Sequence, residues 1–223
     1  MKHLWIIMDG NRTWAKQKLL PSFAWHKAWF ENAKHVIETV VKTQIEYLTL
    51  WALSKENLEN RSKEELTGLF SLFEKFYDLL PLLQKENIVF QTIWDISKLP
   101  ENTQNILNDI KTKTSQNTGM TLVIALVYSW QDEIVRACQK LLASWYQWEL
   151  NESKFREFLD TKDLPQVDLI IRTGWHQRHS WFLLYDSAYS EYAFTDTLFP
   201  ALKKDEILKI INDFSQRERK FWK

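Results

Sequence analysis

The chain has 223 residues, 29 of them basic and 29 acidic, so its formal net charge is zero and it carries no general nucleic-acid footprint. That length supports one sizeable core or two small domains, and the single cysteine, Cys138, excludes an internal disulfide framework. No apolar run approaches the roughly 18 residues of a membrane span, and Asp9 interrupts the only apolar stretch near the N-terminus, so the expectation is a soluble, cytoplasmic protein. Two counts stand out: glycine is 4 of 223, where about 7% is usual, and tryptophan is 12.

His3 to Met8 reads as a first buried strand, followed by Asp9, Gly10 and Asn11 and then by a helical pattern. In an open α/β sheet the ligand sits beyond the carboxyl ends of the strands, where a helix N-terminus offers free N–H groups to an anion. Asp9 stands where it could hold a divalent cation against a phosphate, although local sequence alone favours an Asx turn or helix cap at Asp9 and Asn11. A short helix through Trp14 stops near Pro21, and a second keeps its period from Ala33 to about Thr43. Ile45 to Leu53 predicts a second strand, ending in a polar cluster at Ser54, Lys55, Glu56 and Asn57, where Ser54 can cap the next helix.

Glu64 to Gln84 predicts one long helix with a wide apolar face, a pattern that an ordinary core helix satisfies, with a kink at Pro81. Asn87 to Trp94 is a third strand ending at Asp95, Pro100 to Thr114 an exposed helix, Met120 to Tyr128 a fourth strand, and Asp132 to Leu142 its crossover helix. Val167 to Arg172 is a fifth strand. Beyond its carboxyl end Arg172, Arg178 and His176 or His179 crowd a polar loop, which an anionic ligand explains. Tyr192 to Thr195 is a short sixth strand, and Lys203 to Lys220 a terminal helix. The alternation predicts a single α/β domain over residues 1–223, with a mostly parallel six-stranded sheet flanked by helices.

The segments HLWIIMDGNRTWAK, HKAWFENAK, YLTLWALSKENL, TGMTLVIALVYSWQDEI, VDLIIRTGWHQRHSWFLLYDSAYSEYAFTDTLFP and RERKFW, in this order, resemble the cis-prenyltransferases, the family of bacterial undecaprenyl diphosphate synthase. The resemblance covers nearly the whole chain. It implies Mg2+-dependent condensation of isopentenyl diphosphate, in cis, onto an allylic prenyl diphosphate such as farnesyl diphosphate, giving a long-chain polyprenyl carrier-lipid precursor. It also implies a homodimer, peripheral membrane contact for product release, and a hydrophobic tunnel between sheet and helices with the helix from Glu64 as one wall. An alternative is a weak or inactive homologue that serves as an accessory subunit. A phosphatase with an aspartate nucleophile is disfavoured because Asn11 stands where its second aspartate would be.

Carried over by position, Asp9 and Asn57 are the catalytic candidates, and Asp9 and Glu191 the metal candidates. Gly10, Asn11, Arg12, Thr13, Trp14, Ser22 and His26 would line the allylic diphosphate site. Ser54, Lys55, Glu56, Leu58 and Asn60 form the next substrate-binding segment. Arg172, Arg178, His179 and Ser180 would clamp isopentenyl diphosphate, and Arg217 and Arg219 match a basic tail. Thr13, Ser22, Asn60 and His176 replace charged residues of the family pattern, and Arg61 lies one position from an expected arginine. Trp25, Trp29, Trp94, Trp130, Trp175 and Trp222 stand where the family has glycine, and an indole at 25 or 175 is expected to fill the diphosphate pocket. Reading of UGA as glycine in the source organism accounts for the glycine deficit and the tryptophan excess together.

Overall fold

His3–Ile7 forms strand β1, and every one of its residues is buried. A run without polar alternation is what a strand in the middle of a parallel sheet requires, because both its faces are covered. The structure, a computed structural model, describes residues 1–21, 25–93, 96–146, 149–180 and 184–218. The sequence expectations at Ser22, Trp94, Asp95, Arg219, Lys220 and Trp222 lie outside the described residues.

From β1 the chain enters helix α1 (Asn11–Gln17) and then α2 (Trp25–Val40), β2 (Tyr47–Trp51), α3 (Lys55–Asn60) and α4 (Lys63–Glu74). There follow α5 (Leu80–Lys85), β3 (Val89–Ile93), α6 (Glu101–Lys113), β4 (Thr121–Ala125), α7 (Trp130–Ala143) and α8 (Glu152–Arg156). The last elements are β5 (Leu169–Thr173), β6 (Glu191–Thr195) and α9 (Lys204–Ser215). The six strands form one sheet in the order β3-β4-β2-β1-β5-β6, and every pairing is parallel, so the expected "mostly parallel" sheet is wholly so among the described residues.

From β1 the chain turns to β2 on one side, whereas from β5 it turns to β6 on the other. The crevice between the carboxyl ends of β1 and β5 is therefore a topological switch point, the place where open α/β sheets bind ligands. Ile7 is in register with Arg172 across that pair, which sets Asp9 and the Arg172 side chain at one mouth.

The helix predicted from Glu64 to Gln84 is broken. Between α4 and α5 the segment Lys75–Leu79 tightens into a 3-10 turn, and Pro81 sits in the first turn of α5. Proline lacks the N–H that would continue an α-helix and is tolerated at a helix start, so one long helix becomes two. The terminal helix likewise ends at Ser215, short of the predicted Lys220.

The apolar face of α4 and the following turn is buried against the core. Phe76 stacks against both Trp29 and Phe30 of α2, with ring centroids 6.1 and 6.2 Å apart, and Phe73 packs on Phe76 at 5.5 Å.

Candidate active site

A cavity of about 680 Å3 opens at the switch point. Its walls include Asp9 and Asn11 after β1, Ser54, Glu56 and Asn57 after β2, and Arg172, His176, Arg178 and Ser180 after β5. A smaller lobe of about 250 Å3 adjoins it and is lined by Asp9, Gly10, Asn11, Arg12, Thr13, Trp25, Asn57 and Arg61.

The turn carrying Asp9 is fixed by its backbone. Gly10 has φ +95°, and a Cβ there would come within 2.6 Å of Leu198, so the position demands glycine. Gly174, with φ +72°, lets the loop after β5 pass the Asp9–Gly10 backbone. The Asp9 carbonyl accepts from Phe199 N at 3.0 Å and from Thr173 Oγ1 at 2.8 Å. Asn11 opens α1, and its Nδ2 donates to Met8 O at 2.8 Å instead of capping the helix.

Arg172 is the buried hub. Its Nε and Nη2 donate to Asp9 Oδ2 at 3.0 and 2.6 Å. Its Nη1 donates to the Arg178 carbonyl and, at 2.9 Å, to Ser180 Oγ. At 3% exposed it needs these partners, and through them it ties the carboxylate to the 178–180 loop. Arg178 and His176 line the cavity beside it. His179 does not: its ring packs edge-on against Tyr192 and shares a 2.9 Å hydrogen bond with that hydroxyl. Of the two histidines the sequence left open, the structure brings His176 to the site.

Ser54 caps α3, its Oγ accepting from Asn57 N at 3.0 Å, and this orients Asn57 and Glu56 over the cavity. Lys55 turns away into an ion pair with Asp132, whose hydrogen bond raises the lysine pKa above its ordinary value. Leu58 packs against the hydrophobic core, and Asn60 is exposed at the end of α3. The neighbour that reaches the site is Arg61, a residue that sequence reasoning noted as displaced and did not count as a site residue.

In the small lobe Arg12 is pinned to Glu65 at 2.8 Å. His26, predicted at the allylic diphosphate, is not among the residues lining either cavity: it stands edge-on to Trp25, centroids 4.0 Å apart, and against Gly68 of α4. Burial first, and then the Arg61 charge, lower its pKa below the ordinary value. Trp14 is half-buried on the core and is not among the residues lining either cavity.

The tryptophans behave differently from expectation. Trp175 is 51% exposed and leans on His176 outside the cavity. Trp25, Trp29 and Trp130 form part of its wall and leave it open.

Two oxygen ligands face a hard cation's requirements. Asp9 and the buried Asn11 Oδ1, which has no hydrogen-bond partner, line the same cavities. Mg2+ is commonly held by one or two carboxylates with the rest supplied by water and substrate phosphate, and these residues fit that mode. No cluster of three metal-ligating side chains occurs among the described residues. Glu191 does not join Asp9 within the chain. It opens β6 in register with Leu169, at the amino end of the sheet, and pairs with Arg217.

Comparison with known proteins gives a consistent picture. Residues 7–222 match the Prenyltransf family model of undecaprenyl diphosphate synthase. An isoprenyl transferase of Clostridium tetani is 38% identical, covering 99% of this chain and 88% of its own. The ditrans,polycis-undecaprenyl-diphosphate synthase of Micrococcus luteus, described as farnesyl-diphosphate specific, is 37% identical over 99% of this chain and 90% of its own. The crystal structure of lavandulyl diphosphate synthase from Lavandula x intermedia with dimethylallyl diphosphate superposes with TM-score 0.93 at 31% identity, covering 98% and 97% of the two chains.

Proposed function

The chain belongs to the undecaprenyl diphosphate synthase family, and we propose that it condenses isopentenyl diphosphate in cis onto an allylic prenyl diphosphate, with farnesyl diphosphate as a suitable starter. The observation that carries this reading is the arrangement of charge: two cationic lobes, one with Arg12 and Arg61 and the other with Arg172 and Arg178, flank the carboxylate of Asp9, with Glu56 on the wall of the larger. Two diphosphates and a divalent cation would answer that pattern.

In the reaction the allylic C–O bond breaks and releases diphosphate, the terminal alkene carbon of isopentenyl diphosphate forms the new C–C bond and leaves a cation at the methyl-bearing carbon, and a proton passes from the CH2 on its far side to the released diphosphate or water, which restores a double bond. Bound Mg2+ would supply Lewis-acid stabilisation of the departing diphosphate, held by Asp9 with Asn11 beside it. The α1 N-terminus and the arginines add preorganised donors where negative charge grows. Asn57, fixed by the Ser54 cap, orients the isopentenyl group where the proton is lost. Arg172 positions Asp9 and the 178–180 loop, leaving Arg178 and Ser180 to meet the second diphosphate.

A homodimer is part of the proposal. β6 is an open sheet edge with Tyr192 and Phe194 stacked at 5.8 Å and Tyr189 and Leu184 exposed nearby in sequence, an edge that pairing would protect. Glu191 would approach a metal only from such a second copy. Among the described residues no helix is long and apolar enough to cross a membrane, so transfer of a greasy product calls for peripheral contact.

The test is incubation of the protein with farnesyl and isopentenyl diphosphates, with Mg2+ or with chelator. Products longer by five-carbon steps, formed only with Mg2+, are expected. A folded protein that binds both diphosphates and makes no product would favour the accessory-subunit reading, which the loss of cationic side chains at Thr13 and Asn60 supports.

A further inference from the structure

Helix α3 carries Glu56 and Asn57 at the cavity, yet little within α3 holds it there. It has six residues and none of them is buried, and a helix that short is marginal without outside support. Two ties supply the support. The first is backbone. Ser54, just before α3, bridges Tyr128 beyond β4, with Tyr128 N donating to Leu53 O at 3.0 Å and Lys55 N to Tyr128 O at 3.3 Å. Val127, which leads into this bridge, is buried and β-branched with φ +56°, a costly conformation that persists only where its surroundings impose it. The second tie is ionic. Lys55, at the start of α3, pairs with Asp132 in the first turn of α7, while Glu59, one turn on, is 3.9 Å from the same ammonium. Asp132 in turn accepts from Arg136 Nε at 3.0 Å, Arg136 Nη1 donates to Asp160 Oδ1 at 3.2 Å, and Asp160 N donates to the buried Glu133 at 3.0 Å. The side chains of Asp132, Arg136 and Asp160 are at most 22% exposed, so solvent screens this chain of charges less than it screens a surface pair. Lys55 and Asp132 line a second cavity, of about 410 Å3, that shares Glu56 and Gln131 with the main one. Neither is among the residues lining the main cavity, so the pair stands behind α3 and does not meet substrate.

We infer that Asp132 is a positioning residue for prenyl transfer: its ion pair with Lys55 holds the first turn of α3, and with it Asn57, in the orientation that meets the isopentenyl group. Arg136 and Asp160 fix the Asp132 carboxylate from behind, so α3 is ordered before substrate arrives and the reacting complex has less freedom left to lose. Ser54 then passes that order on, because its Oγ accepts from Asn57 N at 3.0 Å. Lys55, a cation in a segment where substrate contact is expected, serves the site from its outer side. The inference deepens the prenyl-transfer reading and rests on it for what Asn57 does.

The experiment is single-turnover prenyl transfer between farnesyl and isopentenyl diphosphates with Mg2+, on the wild type and on Asp132→Asn, Lys55→Met and Lys55→Arg, each also in an Asn57→Ala background. Amide hydrogen exchange of α3 is measured on the same proteins. Asp132→Asn and Lys55→Met should each slow the bond-forming step about 10-fold, with faster exchange of the α3 amides. Lys55→Arg, which keeps the charge, should recover most of the rate. In the Asn57→Ala background Asp132→Asn should cost less than about 2-fold, because the group it positions is gone. A general loosening of the fold would cost as much with Asn57 as without it. If the wild type makes product but Asp132→Asn leaves both rate and α3 exchange unchanged, or slows the two backgrounds equally, the inference falls and the prenyl-transfer reading stands. A wild type that makes no product overturns the reading and this role together.

Discussion

Two nitrogens of Arg172, Nε at 3.0 Å and Nη2 at 2.6 Å, converge on one oxygen of Asp9, Oδ2. The pair spans the switch point, so a single contact fixes both the carboxylate at the end of β1 and the loop after β5. Asp9→Asn keeps an oxygen for Arg172 and removes the charge that a cation needs. Prenyl transfer should fall by at least ~100-fold, as when a preorganised charge-stabilising group is lost, with little change in melting temperature. Asp9→Leu leaves the buried guanidinium without its acceptor and should also destabilise, by roughly 1–3 kcal/mol. Equal melting temperatures for the Asn and Leu variants would show that Arg172 does not depend on Asp9 for its place.

Much of this site was legible because it lies where a parallel sheet must put it. The apolar run His3–Ile7, the Asp9-Gly10 turn and the cations after β5 follow from strand periodicity and the carboxyl-end rule alone. What was not legible has physical causes. Arg61 reaches the lobe because α3 ends one residue before it, a boundary that local pattern does not locate. His179 is withdrawn by Tyr192, a partner 13 residues on, and Lys55 by Asp132, 77 residues on. Glu191 opens β6 beside Leu169, at the amino end of the sheet, a register that the sequence does not reveal.

Glu133 makes stability depend on pH. It is buried in α7, where it accepts from Tyr128 OH at 2.6 Å and from the Asp160 and Thr161 backbone N–H groups. Burial, helped by the charges of Asp186 and Asp160, outweighs those bonds and raises its pKa to about 7. An acid whose folded pKa is raised gives stability that is complete below its unfolded value and is lost as pH climbs to the folded one. The loss across pH 4.5 to 7 is on the order of 3 kcal/mol. Asp186, raised by burial, acts in the same sense, whereas His3, lowered to about 4 by burial, acts oppositely up to pH 6.5. Comparison with Glu133→Gln by urea unfolding isolates the single group: the advantage of the variant should grow by about that amount from pH 4.5 to 7. A pH-independent difference would mean that Glu133 ionises in its ordinary range.

Trp145 occupies the residue after the α7 cap with φ +53° and is 84% exposed. That left-handed position is the one glycine fills at helix ends, and a side chain there costs about 1–2 kcal/mol, while the exposed indole recovers little by burial. Trp145→Gly should stabilise by ~0.5–1 kcal/mol after the greater unfolded-state freedom of glycine is subtracted, raising Tm by a few degrees. Peptide masses of the protein from its own organism decide whether tryptophan or glycine is translated at each position: an indole at 25 or 175 would end the recoding account, and glycine at 145 agrees with the backbone there.

Trp29 bears on product length. It forms part of the cavity wall, is 3% exposed, and presses on Phe76 at 6.1 Å and Phe199 at 6.3 Å. Phe76 and Phe199 pack against its far side, so the indole stands between the cavity and an apolar cluster. Trp29→Ala should open a void into that cluster and cost ~3–5 kcal/mol of stability, as large aromatic truncations do. In the prenyl-transfer assay the same variant should shift products to more five-carbon units, because a growing chain gains apolar surface to bury where the indole was. Chromatography of the radiolabelled products, run below the melting temperature of the variant, reads the shift. A folded, active Trp29→Ala protein with an unchanged product distribution would place the growing chain along another wall of the cavity, past Trp51 or Trp130.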